Sequence, residues 1–168
     1  MIEQDGHCHV PKGEHIVVGA LTEELKADAC DIFPKGVTAK QLILTTLEVC
    51  NRHFGWTDIF VYLNHFVTDK RHLPVVTGTC EIWGISLGIC VNHPEVRTRV
   101  VSDLVCTTAH EYGHLARDRV NIGRLPDVFF ADQLLNESVA TAFQKKHFPG
   151  LRHTILDAFS TEDAEELT

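Results

Sequence analysis

The segment that most constrains this chain runs from His110 to His114 and reads His-Glu-Tyr-Gly-His. In an α-helix, residues four apart lie one turn apart and about 40° out of line, so both imidazoles can reach one metal ion. Two histidine nitrogens leave such an ion in need of a third protein ligand, and an open site of this kind keeps a position for water. Glu111 points to a neighbouring face, so the pattern predicts that it holds and deprotonates that water.

The surrounding sequence predicts a long, largely buried helix over about residues 95–119. Pro94 and Glu95 are typical of a helix start, and the apolar residues after them repeat at helical spacing as far as Leu115. Gly113 lies inside this helix, where glycine costs about 1 kcal/mol relative to alanine. A glycine at that position therefore indicates that another group approaches the helix backbone closely.

A second helix is predicted from Asp127 to Phe148, and it carries the candidates for the third ligand. Glu137 follows the second histidine by twenty-three positions, which is enough chain to turn and to lay this helix antiparallel to the first. Asp132, more than one turn earlier, is the competing candidate. Glu137 is preferred because Asn136 before it and Thr141 one turn after it can hydrogen-bond to the ligands.

On these residues the chain resembles the gluzincin metallopeptidases, whose signature is His-Glu-x-x-His followed on a later helix by a glutamate ligand, often preceded by Asn. The match is to His110, Glu111, His114 and Glu137. The chain also looks like a family of small bacterial proteins predicted to be zinc-dependent proteases, in which Gly-Leu-Ala follows the ligand in place of Ser-Val-Ala. This resemblance covers about residues 56–148 and is strongest across the two helices.

The resemblance implies an α+β, zincin-like fold, in which a small mixed β-sheet packs on an active-site helix and a ligand-bearing helix follows. It also implies a metalloendopeptidase, with Zn²⁺ held by His110, His114 and Glu137, with Glu111 as general base, and with a peptide or protein substrate. The first alternative is a non-catalytic zinc-binding protein with a structural or interaction role. A structural site would be closed by a fourth protein ligand, and the sequence offers no obvious one. A second alternative is a chance motif.

Zinc peptidases also benefit from a hydrogen-bond donor placed where negative charge develops during the reaction. The sequence offers His153 as the preferred candidate, on a short helix expected over residues 150–159. Four other side chains are possible donors: His93, Tyr62, Tyr112 and His147.

Several residues near the motif have two interpretations. Asp103 and Asp118 can orient an imidazole, although such residues are more often solvated. Cys106 lies one turn before His110 and is interpreted as a core thiol beneath the site, because all three side chains of that row cannot reach one ion. The N-terminal His-Cys-His at residues 7–9 offers three potential ligands for a latency segment, whereas a disordered tail is the simpler interpretation.

Composition bounds the remaining possibilities. A chain of 168 residues that is 44% hydrophobic and 23% charged is expected to form one soluble globular domain over residues 1–168, with flexible tails at 1–15 and 160–168. The net charge of −8 argues against a nucleic-acid partner. The polar N-terminus and the short apolar runs predict no membrane span and a cytoplasmic location, with non-classical export as the alternative.

The other elements follow from local signals. Helices are predicted at 22–33 and 39–54, the second with a Thr38–Gln41 capping box. Strands are predicted at 16–19, at 57–63 with an extension over 65–67, and across 77–91. The resemblance suggests residues 83–91 as the sheet edge that holds a substrate as an added strand. An ordinary core strand pair is the alternative.

Overall fold

The computed structural model describes residues 7–8, 16–20, 31–52, 54–56, 59–69, 73–81, 84–120 and 130–151, with the backbone alone at 7–8, 16–20 and 130–132. Within these ranges the protein is a mixed α+β structure with one sheet and three helices. The strands are β1 His7–Cys8, β2 Ile16–Ala20, β3 Ile59–Phe66, β4 Val76–Glu81 and β5 Gly84–Cys90. The helices are α1 Ala39–Asn51, α2 Val96–Val120 and α3 Phe130–His147.

The sheet has the strand order β1-β2-β3-β5-β4. Strands β2, β3 and β5 run parallel, and β1 and β4 are antiparallel to their neighbours. The suggestion that residues 83–91 form the sheet edge is therefore wrong, because β5 lies between β3 and β4. The burial of Ile85, Leu87 and Ile89 suits an internal strand, whereas Thr79 and Glu81 on β4 are exposed, as an edge strand allows.

Helix α1 begins as its capping signal predicts but ends earlier than expected. The Oγ1 atom of Thr38 accepts a hydrogen bond from the backbone N–H of Gln41 at 3.2 Å. The helix ends at Asn51, not at residue 54, because the Asn51 side chain hydrogen-bonds to both the backbone N–H and the carbonyl of Trp56. Those two bonds turn the chain, and Gly55 supplies the positive φ of 60° that the turn requires.

Helix α2 is the central element of the described structure, and its bounds agree closely with the predicted 95–119. It packs against α1, α3, β4 and β5, and every residue from 106 to 116 is buried. The close approach expected at Gly113 is confirmed, since a Cβ atom there would lie 2.8 Å from the Cα of Ala140 on α3. Glycine at this position lets the backbones of the two helices come together.

Tyr112 ties α2 to its neighbours on the side of the helix away from the two histidines. Its hydroxyl donates a hydrogen bond to Oδ1 of Asn51 at 2.8 Å, and its ring stacks on Trp56 and Phe143 at centroid distances of 5.8 and 5.5 Å. The side chain is fully buried. Tyr112 is therefore a packing residue, and its hydroxyl is not directed at the histidine pair.

Some predicted features lie outside the described residues. These are most of the 22–33 helix, the 150–159 helix after residue 151, the 160–168 tail and most of the 1–15 tail. The described part of the 1–15 tail is the short strand β1, which pairs with β2. The side chains of the N-terminal His-Cys-His also lie outside the described part of the structure. Of the helices that are described, none has the length and apolar content needed to span a bilayer.

Candidate metal centre

Helices α2 and α3 bring three potential metal ligands together. The Nε2 atoms of His110 and His114 are 3.0 Å apart, and carboxylate oxygens of Glu137 lie 3.1 Å from the first and 3.4 Å from the second. The two imidazoles are buried, whereas the Glu137 side chain is 56% exposed. The cluster is therefore buried on the α2 side and open to solvent on the α3 side.

The separations within the cluster fit a small tetrahedral ion. Ligand atoms bound at 2.0–2.1 Å around tetrahedral zinc are about 3.3 Å from each other. The two Nε2 atoms are 3.0 Å apart, and Oε2 and Oε1 of Glu137 lie 3.1 Å from His110 and 3.4 Å from His114, so the three side chains are close enough to share such an ion. Among the residues that the structure describes, the cluster has three members. Such a set can hold a divalent ion and leaves one tetrahedral position for a water molecule or a substrate.

Asn136 sets the protonation of one ligand. Its Oδ1 atom lies 2.9 Å from Nδ1 of His114, and because an amide oxygen can only accept, Nδ1 must carry the hydrogen. In a neutral imidazole the other nitrogen is then unprotonated, so the lone pair of Nε2 is directed at the cluster. The sequence predicted that Asn136 and Thr141 hydrogen-bond to the ligands, and Asn136 makes such a contact with His114.

Replacing Asn136 by alanine is expected to weaken metal binding about 10- to 100-fold, because His114 loses the partner that fixes its tautomer and ring orientation. The measurement is zinc affinity by competition with a chromophoric chelator. Asn136→Asp keeps an acceptor oxygen and should retain most of the affinity. Gln133→Ala, on the same helix but at an exposed position, is the matched control. Equal affinities for Asn136→Ala and wild type would refute the role assigned to Asn136.

Glu111 is buried beside the cluster, between α2 and the edge strand β4. Its side chain packs against Gly78, where a Cβ atom would lie 2.6 Å from both Cγ and Oε1 of Glu111. Burial first, and then the charge of Glu137, raises the pKa of Glu111 to about 8. Without a cation nearby the carboxyl group is mostly protonated at neutral pH, and a bound cation would favour its charged form.

This raised pKa makes the stability of the metal-free protein depend on pH. The folded state keeps the Glu111 proton up to a pH of about 8, whereas the unfolded state loses it near the ordinary pKa of 4.5. The folded state thus binds more protons between these values, so its stability is expected to fall as the pH rises from 4.5 to 8. Urea unfolding of chelator-treated protein at pH 5, 6.5 and 8 measures this. In the Glu111→Gln variant, stability should fall less over this pH range. Identical pH profiles of stability for the variant and wild type would contradict the raised pKa of Glu111.

The other candidates occupy different places. Asp103 is buried and pairs with Arg99 at 3.3 Å, so the interpretation of Asp103 as a solvated residue is wrong, and burial raises its pKa. Asp118 is partly exposed and lies 3.8 Å from Arg117. Cys106 is a buried core thiol, as expected, and burial raises its pKa to about 12.

Three of the expected oxyanion donors, Tyr112, His147 and His93, make contacts away from the cluster. His147 follows Glu137 by ten positions, or about 15 Å along α3, and packs on the ring of Phe143. His93 accepts a hydrogen bond from the backbone N–H of Glu95 ahead of α2. His153, the preferred candidate, and the side chain of the competing ligand Asp132 lie outside the described residues.

Comparison with known proteins gives no independent assignment. No protein-family model, curated protein or solved structure matches the chain. The case for a function therefore rests on the geometry of His110, His114, Glu137 and Glu111.

Proposed function

We propose that this protein is a zinc-dependent metalloendopeptidase of the gluzincin type. The observation that carries the proposal is a three-ligand cluster with a separate buried carboxylate, Glu111, beside it. A structural metal site would use a fourth protein ligand and would have no need of that carboxylate. Two imidazoles, one carboxylate and an open position are the donor set of catalytic zinc.

The arrangement of the helices supports a zincin-like fold. The contacts of Gly113 with Ala140, of His114 with Asn136 and of Cys106 with Gln144 show that α2 and α3 run antiparallel. The mixed sheet packs on α2 through β4 and β5. An antiparallel pair of ligand-bearing helices next to a mixed sheet supports the zincin-like fold proposed from the sequence resemblance.

Within this proposal the chain supplies ligands and a base. A bound Zn²⁺ would polarise the scissile carbonyl and lower the pKa of its water toward about 7. Glu111 takes the proton of the attacking water and passes it to the leaving amine. Asn136 holds His114 in the tautomer that the site needs, and the burial of both imidazoles keeps their positions fixed.

The edge strand β4 offers a way to hold an extended peptide. The backbone N–H of Cys90 donates to the carbonyl of Val75, so residues 75 and 90 exchange hydrogen bonds, as do 77 with 88 and 79 with 86. The N–H and C=O groups of Val76, Gly78 and Cys80 therefore point away from β5. Among the described strands, none pairs with this side of β4. A substrate could add there as a strand, directly beside Glu111.

The proposal is tested by metal analysis and hydrolysis on the same preparation. We expect one zinc per chain by mass spectrometry and cleavage of fluorescein-labelled casein, with activity lost after treatment with 1,10-phenanthroline and restored by Zn²⁺. X-ray absorption should show two imidazoles, a carboxylate and a water oxygen around the zinc. A zinc ion with four protein ligands, or no cleavage by zinc-loaded protein, would contradict the proposal.

A further inference from the structure

The backbone conformation of Gly78 does not explain why this position is a glycine. It lies in the middle of the edge strand β4, where glycine weakens a strand because it has no side chain to pack. Its φ is outside the left-handed region, unlike the values of 83° at Gly36 and 60° at Gly55. An alanine could adopt the same backbone conformation, so the need for glycine must come from the space around it.

That space is occupied by α2. A Cβ atom at position 78 would lie 2.6 Å from Cγ and Oε1 of Glu111 and 2.6 Å from the Cγ2 methyl of Thr107, one turn earlier on the helix. Ordinary van der Waals contact begins at 3.4 Å, so these groups would have to move by about 0.8 Å or more. At Gly84 and Gly88 on the neighbouring strand β5, such an atom meets different residues: Phe60 at Gly84, and Thr77 and Phe66 at Gly88.

We infer that Gly78 is a positioning residue for Glu111. With no side chain at position 78, the carboxylate of Glu111 lies directly against the edge strand, next to the outward backbone groups of residue 78. A methyl group there would push the carboxylate away from the strand and out of line with the attacking water. This inference rests on the proposed function, and it assigns Gly78 no contact with the metal.

The displacement should affect turnover more than binding. Misplacing a reacting group by about 1 Å can cost about 100-fold in rate. Gly78→Ala is therefore expected to lower kcat about 10- to 100-fold on labelled casein, with KM and zinc affinity changed less than about threefold. A general loosening of the fold would instead lower zinc affinity and thermal stability together.

Two further variants separate positioning from simple crowding. Thr107→Ser removes the Cγ2 methyl, so in the Gly78→Ala/Thr107→Ser double variant the two remaining contacts at 2.6 Å from position 78 are those with Glu111. The double variant should be more thermally stable than Gly78→Ala, but its kcat should stay as low as that of Gly78→Ala. Gly88→Ala is the matched control, because the added atom would crowd Thr77 and Phe66, away from Glu111, and should leave kcat near wild type.

Crystal structures of the zinc-loaded proteins give the readout that does not depend on activity. In the double variant, the Glu111 carboxylate should move by about 0.8 Å or more, while the three ligands keep their positions. Full recovery of kcat in the double variant, or an unmoved carboxylate, would overturn the inference and leave the proposed function standing. If wild-type protein cleaves nothing but the carboxylate moves as expected, the proposed function fails and the packing role of Gly78 stands.

Discussion

Replacing Glu111 by glutamine is expected to leave zinc in place and to abolish peptide hydrolysis. Glutamine has nearly the same shape, so it fits the space against Gly78, and position 111 is not part of the ligand cluster. Its amide cannot take a proton from water, and loss of a general base typically costs about 10²- to 10⁴-fold in rate. The measurements are kcat on fluorescein-labelled casein and zinc content by mass spectrometry.

The matched control for this change is Glu48→Gln. It makes the same chemical substitution at an exposed position on α1, so kcat and zinc content should equal those of wild type. Cleavage that persisted in purified Glu111→Gln protein would rule out the mechanism proposed for Glu111. Loss of zinc from that variant would instead place Glu111 among the ligands.

Replacing Glu137 by alanine is expected to remove most of the metal affinity. The Glu137 carboxylate supplies the third ligand, with one oxygen 3.1 Å from His110 and the other 3.4 Å from His114, and the histidines alone offer two ligands. Loss of a residue that hydrogen-bonds to a metal ligand lowers metal affinity about 10- to 100-fold. Loss of the ligand itself should therefore lower the affinity more than about 100-fold. Because this side chain is 56% exposed, the metal-free variant should unfold at nearly the wild-type temperature.

Ser138→Ala serves as the control for Glu137→Ala. Its hydroxyl bonds to the carbonyl of Leu134 on the exposed side of α3, so its removal should leave zinc affinity unchanged. The same measurement separates the two candidate ligands, since Asp132→Ala should also retain zinc. Retention of zinc by Glu137→Ala together with its loss from Asp132→Ala would move the third ligand to Asp132 and refute the assignment made here.

The helices that carry the cluster were predictable because their signals are local. Apolar residues at helical spacing predict α2 to within about one residue at each end, and the buried Gly113 correctly indicates a close neighbour. The third ligand was selected from two candidates by its neighbour Asn136, and the structure shows the contact of Asn136 with His114. Residues one turn apart or adjacent in a helix have a geometry that does not depend on the rest of the chain.

The errors arose where contacts outside the helical or strand pattern decide the outcome. The end of α1 depends on hydrogen bonds between Asn51 and the backbone of Trp56, and periodicity carries no signal for these. The place of β5 inside the sheet depends on its pairing with both β3 and β4. The burial of Asp103 depends on how α2 packs, which a charged residue in a helical pattern does not reveal.

The sequence by itself determined the chemistry that this chain can offer: two imidazoles one helical turn apart, an adjacent carboxylate, and a later glutamate preceded by Asn. Only the tertiary structure decided that Glu137 meets both histidines, that β4 is the edge strand, and that Gly78 lies against Glu111. The reason is physical. Spacing within one helix follows from backbone geometry, whereas contacts across 23 to 33 residues follow from how helices and strands pack together.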